Sequence, residues 1–369
     1  MKIKDIKTAP YERQLHEPFK MYNYTQTHLR DLIVRIESDD GYCGYGEVIS
    51  FDSTPRDTAR DNDFVNRFRD MDVAALPALL RSMHREAPQF SAYADSDPFV
   101  WQWIFALETA YHDLLARRAG VPLSTLLGGR MVSDAPDFMT IAGDEDVTAL
   151  TAHLGQDAPD RRVIQMKCGG MSESLDEERI DAALSKMGKD QIFLADFNGA
   201  LSVGEARAMI ARFSDKRLIW EEPCESFEDN RTLAELTGAP ILMDQCGTFV
   251  NKSRACANGC FVGYTIKPAS MGSLTNARAA RDMAIASGLK VRIDGAWCGG
   301  VAVAAILQLA VGTPEHLLLA ANDLREFLIL PPDEDIVFEK RGGISKQGKS
   351  ARIAPLPGPG LGFVPQMSI

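Results

Sequence analysis

Apolar positions fall into two textures along the chain. Up to residue 48 they read as strands: LRDLIVRIES (29–38) is rich in β-branched residues, and DDGYCGYGEV (39–48) supplies an Asp-Gly turn and a second short strand. From about Asp72 to Ala119 they recur at helical spacing, most clearly in PFVWQWIFALETAYHDLLARRAG, which Gly120 and Pro122 bring to a stop. PLSTLLGG then marks a turn and a boundary near residue 130. Beyond about 135, short apolar runs without periodicity alternate with charged, amphipathic stretches. The runs are FMTIAG (138–143), VIQMK (163–167), IFLAD (192–196), LIWEE (218–222), ILMD (241–244), GYTIK (263–267), KVRID (290–294) and LLLAA (317–321). Between them lie helical stretches such as LDEERIDAALSKMG and LTNARAARDMAIASG. Continuous apolar runs are the signature of parallel strands buried on both faces. Eight βα units predict a (β/α)8-type barrel behind an α+β opening. A doubly wound sheet is the alternative, but no Gly-rich phosphate turn follows a strand.

Composition narrows the picture by exclusion. The 369 residues are 45% hydrophobic and 25% charged, with a net charge of -11 and a pI of about 5.1. A nucleic-acid footprint needs a basic face, so nucleic acid is not expected as a partner. The N-terminal stretch MKIKDIKTAPYERQLHEPF is charged throughout and has no apolar h-region, and no run reads as a membrane span. A cytoplasmic protein is the expectation. The seven cysteines are scattered and odd in number, which suits reduced thiols.

The candidate chemistry lies where the apolar runs stop. Lys167, Asp196, Glu221, Asp244, Lys267 and Asp294 each end a run, at intervals of 29, 25, 23, 23 and 27 residues. In a barrel all carboxyl-terminal strand ends meet at one face, where active sites sit. A charge at the end of a buried run is costly unless it is paired or metal-bound. Three carboxylates from adjacent strands suit a hard cation, Mg2+ first and Mn2+ as the alternative. None of the six histidines (16, 28, 84, 112, 153, 316) ends a barrel run, which argues against zinc. A lysine beside such a cation, partly desolvated, is expected to have a lowered pKa and to act as a base near pH 7. The metal would stabilise the enediolate formed when a carboxylate substrate loses its α-proton.

This ordered set resembles the enolase superfamily, in its mandelate racemase and muconate lactonizing branch. The resemblance covers nearly the whole chain. It implies a modified TIM-type barrel over 131–334, an α+β capping domain over 1–130, and a C-terminal tail from about 335 to 369 packing on the cap. Asp196-Phe197-Asn198 matches the family's Asp-x-Asn, Glu221 its Glu before x-Pro, and Asp244 the Asp of its Asp-Glu pair. These three are implied as metal ligands. Lys167 matches the second lysine of Lys-x-Lys and Lys267 the lysine of the sixth strand, the implied base and acid on opposite faces of the substrate. Gln165 replaces the first lysine. Gln-x-Lys followed by Gly-Gly is similar to the proline-derivative group, which holds cis-3-hydroxy-L-proline dehydratase and 4-hydroxyproline betaine 2-epimerase. Asp294-Gly295-Ala296-Trp297 and the GPGLGF near the tail resemble the same group.

Several positions depart from the pattern. Gln245 stands where Glu usually follows the third ligand, and Cys298-Gly299-Gly300 where Gly-Gly-Asp is usual. Asn322 falls near the place of the aromatic that helps cage a betaine. TPEHLLLAANDL looks more like the dehydratase. Trp297 could offer a cation–π face to a substrate amine, or simply pack. Asp294 could pair with that amine or with Lys267, or cap the next helix. Asn198 belongs with the substrate contacts. Phe19, Met21, Tyr22, Phe51 and Asp52 resemble lid positions on the cap. Sugar-acid dehydratases and mandelate racemase use a seventh-strand His, and Asp294 holds that region here. The implied reaction is dehydration or racemisation/epimerisation of a proline-like amino acid. A racemase or epimerase of another small amino acid, such as an N-acylamino acid, and a non-catalytic metal-binding barrel stay open. The implied partners are a small carboxylate substrate and further copies of the chain, as a dimer or octamer.

Overall fold

The computed structural model describes residues 1–20, 25–50, 55–87, 97–157, 161–295, 297–322, 328 and 352–365. The chain opens on an antiparallel sheet of β1 (Ile3–Lys20), β2 (Thr25–Ser38) and β3 (Cys43–Val48), in that order. The long β1 is an element that the sequence pattern did not mark. Its buried positions, among them Ile3, Ile6, Tyr11, Leu15 and Phe19, are spaced irregularly among charged ones, and β1 pairs along most of β2. Helices α1 (Thr58–Asn66), α2 (Leu76–Glu86) and α3 (Phe99–Ala119) cover this sheet. Glycine lets β3 lie directly on α3: a Cβ at Gly46 would fall on the Ala106 carbonyl oxygen. Gly120 ends α3 with φ 69°, the left-handed cap that the sequence pattern predicts.

After α4 (Leu123–Leu126) and β4 (Ala135–Pro136) come eight parallel strands. They are β5 (Phe138–Ile141), β6 (Val163–Lys167), β7 (Ile192–Asp196), β8 (Leu218–Glu221), β9 (Ile241–Met243), β10 (Gly263–Ile266), β11 (Lys290–Asp294) and β12 (Leu318–Asn322). They hydrogen-bond in sequence order, and β12 comes round beside β5, so the sheet forms a nearly closed barrel. Among the described residues, seven helices accompany them: α5 (Val147–Asp157), α6 (Glu173–Lys186), α7 (Val203–Ile210), α8 (Phe227–Thr237), α9 (Phe249–Asn258), α10 (Leu274–Ser287) and α11 (Gly300–Ala310). Near the C-terminus, β13 (Arg352–Ile353) pairs with β4. The following residues reach α3, where Leu361 N donates to Asp113 Oδ1 at 2.7 Å.

Two cores result. One, around Trp103, Phe64 and Phe68, lies between the first sheet and its helices. The other fills the barrel wall and takes in Tyr11, Leu15, Phe19 and Leu29 from the first sheet. The far end of the β1–β2 hairpin is thereby held on the barrel. Met21, Tyr22, Phe51 and Asp52, expected as lid positions, lie outside the described residues. All seven cysteines are free thiols. No helix among the described residues is long and apolar enough to cross a membrane.

Candidate active site

Parallel pairing brings the strand-end residues into register. Lys167 pairs with Asp196 and Asp196 with Glu221, so three successive strands present their ends side by side. Asp244 follows β9 by one residue and Lys267 follows β10 by one. Ligand oxygens of Asp196, Glu221 and Asp244 lie within 4.8 Å of one another, and all three side chains are buried. The lysines stand on either side of this cluster, on β6 and after β10.

Each charge has a defined partner. Lys167 Nζ donates to Asp196 Oδ2 at 2.5 Å and to Asn198 Oδ1 at 3.3 Å. Asn198 sits at φ 47°, a turn that also lets its N–H donate to Asp196 Oδ1 at 3.0 Å. Lys267 Nζ donates to Asp244 Oδ2 at 2.6 Å. Gln165, two residues before Lys167 and so pointing the same way, lies beneath the ligands. Its amide donates to Asp196 Oδ2 and Glu221 Oε2, both at 2.8 Å, and its Oε1 accepts from Thr140 at 3.2 Å. Expected as a substrate contact, Gln165 has both amide hydrogens committed to metal-ligand candidates.

The structure adds residues that the sequence reading passed over. Arg292, in the middle of β11, reaches across the barrel and grips both oxygens of Glu221, at 2.7 and 2.5 Å. Its Nε lies 2.7 Å from Asp294 Oδ2. That approach is ionic rather than a well-aligned hydrogen bond, since Arg292 Nε has no hydrogen-bond partner; Asp294 Oδ1 has none either. Glu222, at φ 40°, turns away from the cluster and accepts from the N–H groups of Asp244 (2.5 Å) and Cys246 (3.0 Å), fixing the loop that carries Asp244. The signals were present in the sequence as an arginine inside the apolar run KVRID and a second acid after Glu221. Neither has meaning until the sheet closes.

The electrostatics follow from crowding. Burial alone would lower both lysines, but Asp196 and Glu221 raise Lys167, while Asp244 and Asp294 raise Lys267. The nearest charges to both lysines are carboxylates, which hold them protonated. Burial would raise Asp244, and Lys267 and Arg292 together hold it low. Glu221 is pushed up to about 8 by burial, against the pull of Arg292 and with Asp196 and Asp244 adding to the push. The paired geometry argues for an ionised Glu221, because both of its oxygens accept from the guanidinium.

A hard divalent cation fits this donor set. The three residues offer only carboxylate oxygens, and Asp244 Oδ1 is buried without a hydrogen-bond partner. On the rim, Trp297 is 2% exposed, with its ring 5.3 Å from that of Phe19 in an edge contact. Lys20 O accepts from Gly143 N at 3.0 Å, and a Cβ on Gly143 would lie 3.6 Å from Lys167 Cβ. The β1–β2 hairpin therefore meets the barrel rim at two places, near Lys167 and at Trp297.

Comparison with known proteins finds matches over most of the chain. Residues 3–128 match the mandelate racemase / muconate lactonizing enzyme N-terminal domain, and residues 149–369 the enolase C-terminal domain-like family. A cis-3-hydroxy-L-proline dehydratase from Roseibium aggregatum is 29% identical over 222 residues, 60% of each chain. The chain thus spans less than two thirds of that relative. A muconate cycloisomerase from Acinetobacter lwoffii is 27% identical over 85% of this chain and 80% of its own. Among solved structures, a mandelate racemase/muconate lactonizing-type protein from Roseovarius nubinhibens, complexed with magnesium, superposes with a TM-score of 0.81 at 25% identity. It covers 98% of this chain and 96% of its own.

Proposed function

The chain belongs to the mandelate racemase / muconate lactonizing enzyme family of the enolase superfamily, and from that premise we propose that it removes the α-proton of a small carboxylate substrate. Lys167 and Lys267 serve as base and acid on either side of a divalent cation, Mg2+ or Mn2+, held by Asp196, Glu221 and Asp244. The observation that carries this reading is the convergence of three buried carboxylates between two lysines.

Each lysine is held as an ammonium by the carboxylate beside it, so it can accept a proton only when that hold is relaxed. A bound dication supplies the positive charge that takes over those carboxylates and offsets the negative charge developing on the substrate carboxylate. The lysine on one face then takes the α-proton. If the lysine on the other face returns one, the result is epimerisation. If it instead protonates a departing β-hydroxyl, water is lost and a double bond forms.

A proline-like amino acid is the substrate class we favour. Asp294 Oδ1, buried and without a hydrogen-bond partner, suits the N–H of a charged amine. Gln165, Asp294 and Trp297 keep the pattern similar to the proline-derivative group, and one relative is named as a cis-3-hydroxy-L-proline dehydratase. An N-acylamino acid would bring no positive charge to Asp294, which makes that racemase the second reading.

Incubating the Mg2+-loaded protein with proline and hydroxyproline isomers in D2O tests the proposal. Deuterium at Cα without loss of water indicates epimerisation, and appearance of a pyrroline indicates dehydration. Lys167→Ala and Lys267→Ala should each slow the reaction by about 10²–10⁴-fold. Absence of exchange across a broad amino-acid panel would leave the non-catalytic metal-binding barrel standing instead.

A further inference from the structure

Arg292 is 1% exposed, and its guanidinium forks across Glu221 and lies against Asp294. An arginine stays charged at any accessible pH, so it is a permanent cation beneath the candidate metal centre. The hydrogen bonds also limit what Glu221 can offer. Its Oε2 accepts from both Gln165 and Arg292, while Oε1 accepts from Arg292 alone. One lone pair, on Oε1, is left for a metal. Four carboxylates (Asp196, Glu221, Asp244, Asp294) face three cations (Lys167, Lys267, Arg292), so the cluster carries one net negative charge with Arg292 and two without it.

We propose that Arg292 is a positioning residue that competes with the divalent metal for Glu221 and thereby weakens the affinity of the centre. It ties the same ligand to Asp294, so the metal side and the amine side of the site share one cation. The inference rests on the metal reading proposed above. Its consequence is a centre whose acids are partly neutralised before any metal binds, and whose affinity for metal is set by a residue that never ligates it.

The test is a binding measurement on the full chain stripped by a chelator. Mn2+ affinity is measured by calorimetry for wild type, Arg292→Met and Arg292→Lys, with circular dichroism confirming the fold. Removing the competing charge should tighten Mn2+ binding in Arg292→Met by about tenfold or more. Equal or weaker affinity in a folded Arg292→Met overturns the proposal, because a purely structural arginine would change thermal stability and leave affinity alone or worsen it. Should Arg292→Met not fold, Arg292→Lys carries the test. An ammonium cannot fork across both oxygens, so about threefold tighter binding is expected, and wild-type or weaker affinity overturns the idea. Failure of the underlying metal reading looks different: wild type itself would then bind no Mn2+.

Discussion

Lys252 brings a positive charge into the wall behind Asp244. It is 2% exposed, donates to the Gly247 carbonyl, and lies 5.5 Å from the centre of the Tyr264 ring. Burial lowers its pKa from 10.5 to about 8, against the pull of Asp244, Cys246 and Glu222. Between about 8 and 10.5 the unfolded chain holds a proton on this lysine that the folded chain has released. Stability from this group therefore rises with pH across that window. In Lys252→Met the rise should be absent: urea midpoints measured from pH 7 to 10 should climb more steeply for wild type than for the variant. At pH 7 the variant should be no less stable than wild type, since apolar replacement of a buried charge is often neutral or favourable. At this scale the legible residues were those ending apolar runs. Arg292 was not legible, because an arginine inside a strand reads equally well as pointing outward.

Helix α11 shows how one element depends on another. Its sequence, GVAVAAILQLA, is buried along its length, and its N-cap Gly299 has no side chain to satisfy the first N–H groups. Glu47 at the end region of β3 supplies the cap from the other core, accepting from Gly299 N and from Ala302 N at 2.9 Å. A Cβ at Gly299 would fall against Tyr11 and Glu47, so glycine is needed for that approach. Glu47→Ala should cost about 2–3 kcal/mol, read from urea unfolding. Gln at this position should recover part of the loss, because its carbonyl still accepts one bond. Strand boundaries at β6, β7 and β11 match the apolar runs, since parallel strands buried on both faces tolerate few polar residues. The long β1 did not stand out, because charged side chains surround its buried positions.

For the whole molecule, Asp113 is the joint. Fully buried on α3, it accepts from Tyr45 N (2.9 Å), Arg117 Nε (2.7 Å) and Leu361 N (2.7 Å), joining the first sheet, its long helix and the C-terminal segment. Burial raises its pKa, and these donors and the charge of Arg117 oppose the rise. Deleting residues 352–369 removes the Leu361 donor and the β13–β4 pairing. The truncated chain should lose about 1–3 kcal/mol at this acid alone, seen as a lower Tm and faster proteolysis of the N-terminal sheet.

The sequence by itself determined the eight barrel strands and the polar residues at their ends. Both are written in local features: apolar runs of strand length, and polar residues placed where those runs stop. From these, Asp196, Glu221, Asp244, Lys167 and Lys267 could be named before any fold was in hand. Only the tertiary structure decided how those charges are balanced. Arg292 and Glu221 lie 71 residues apart on strands three places apart in the sheet, and they meet because the barrel closes. The same closure sets carboxylates beside both lysines and raises their pKa values, since Coulomb forces depend on distance in space, and distance along the chain does not reveal it.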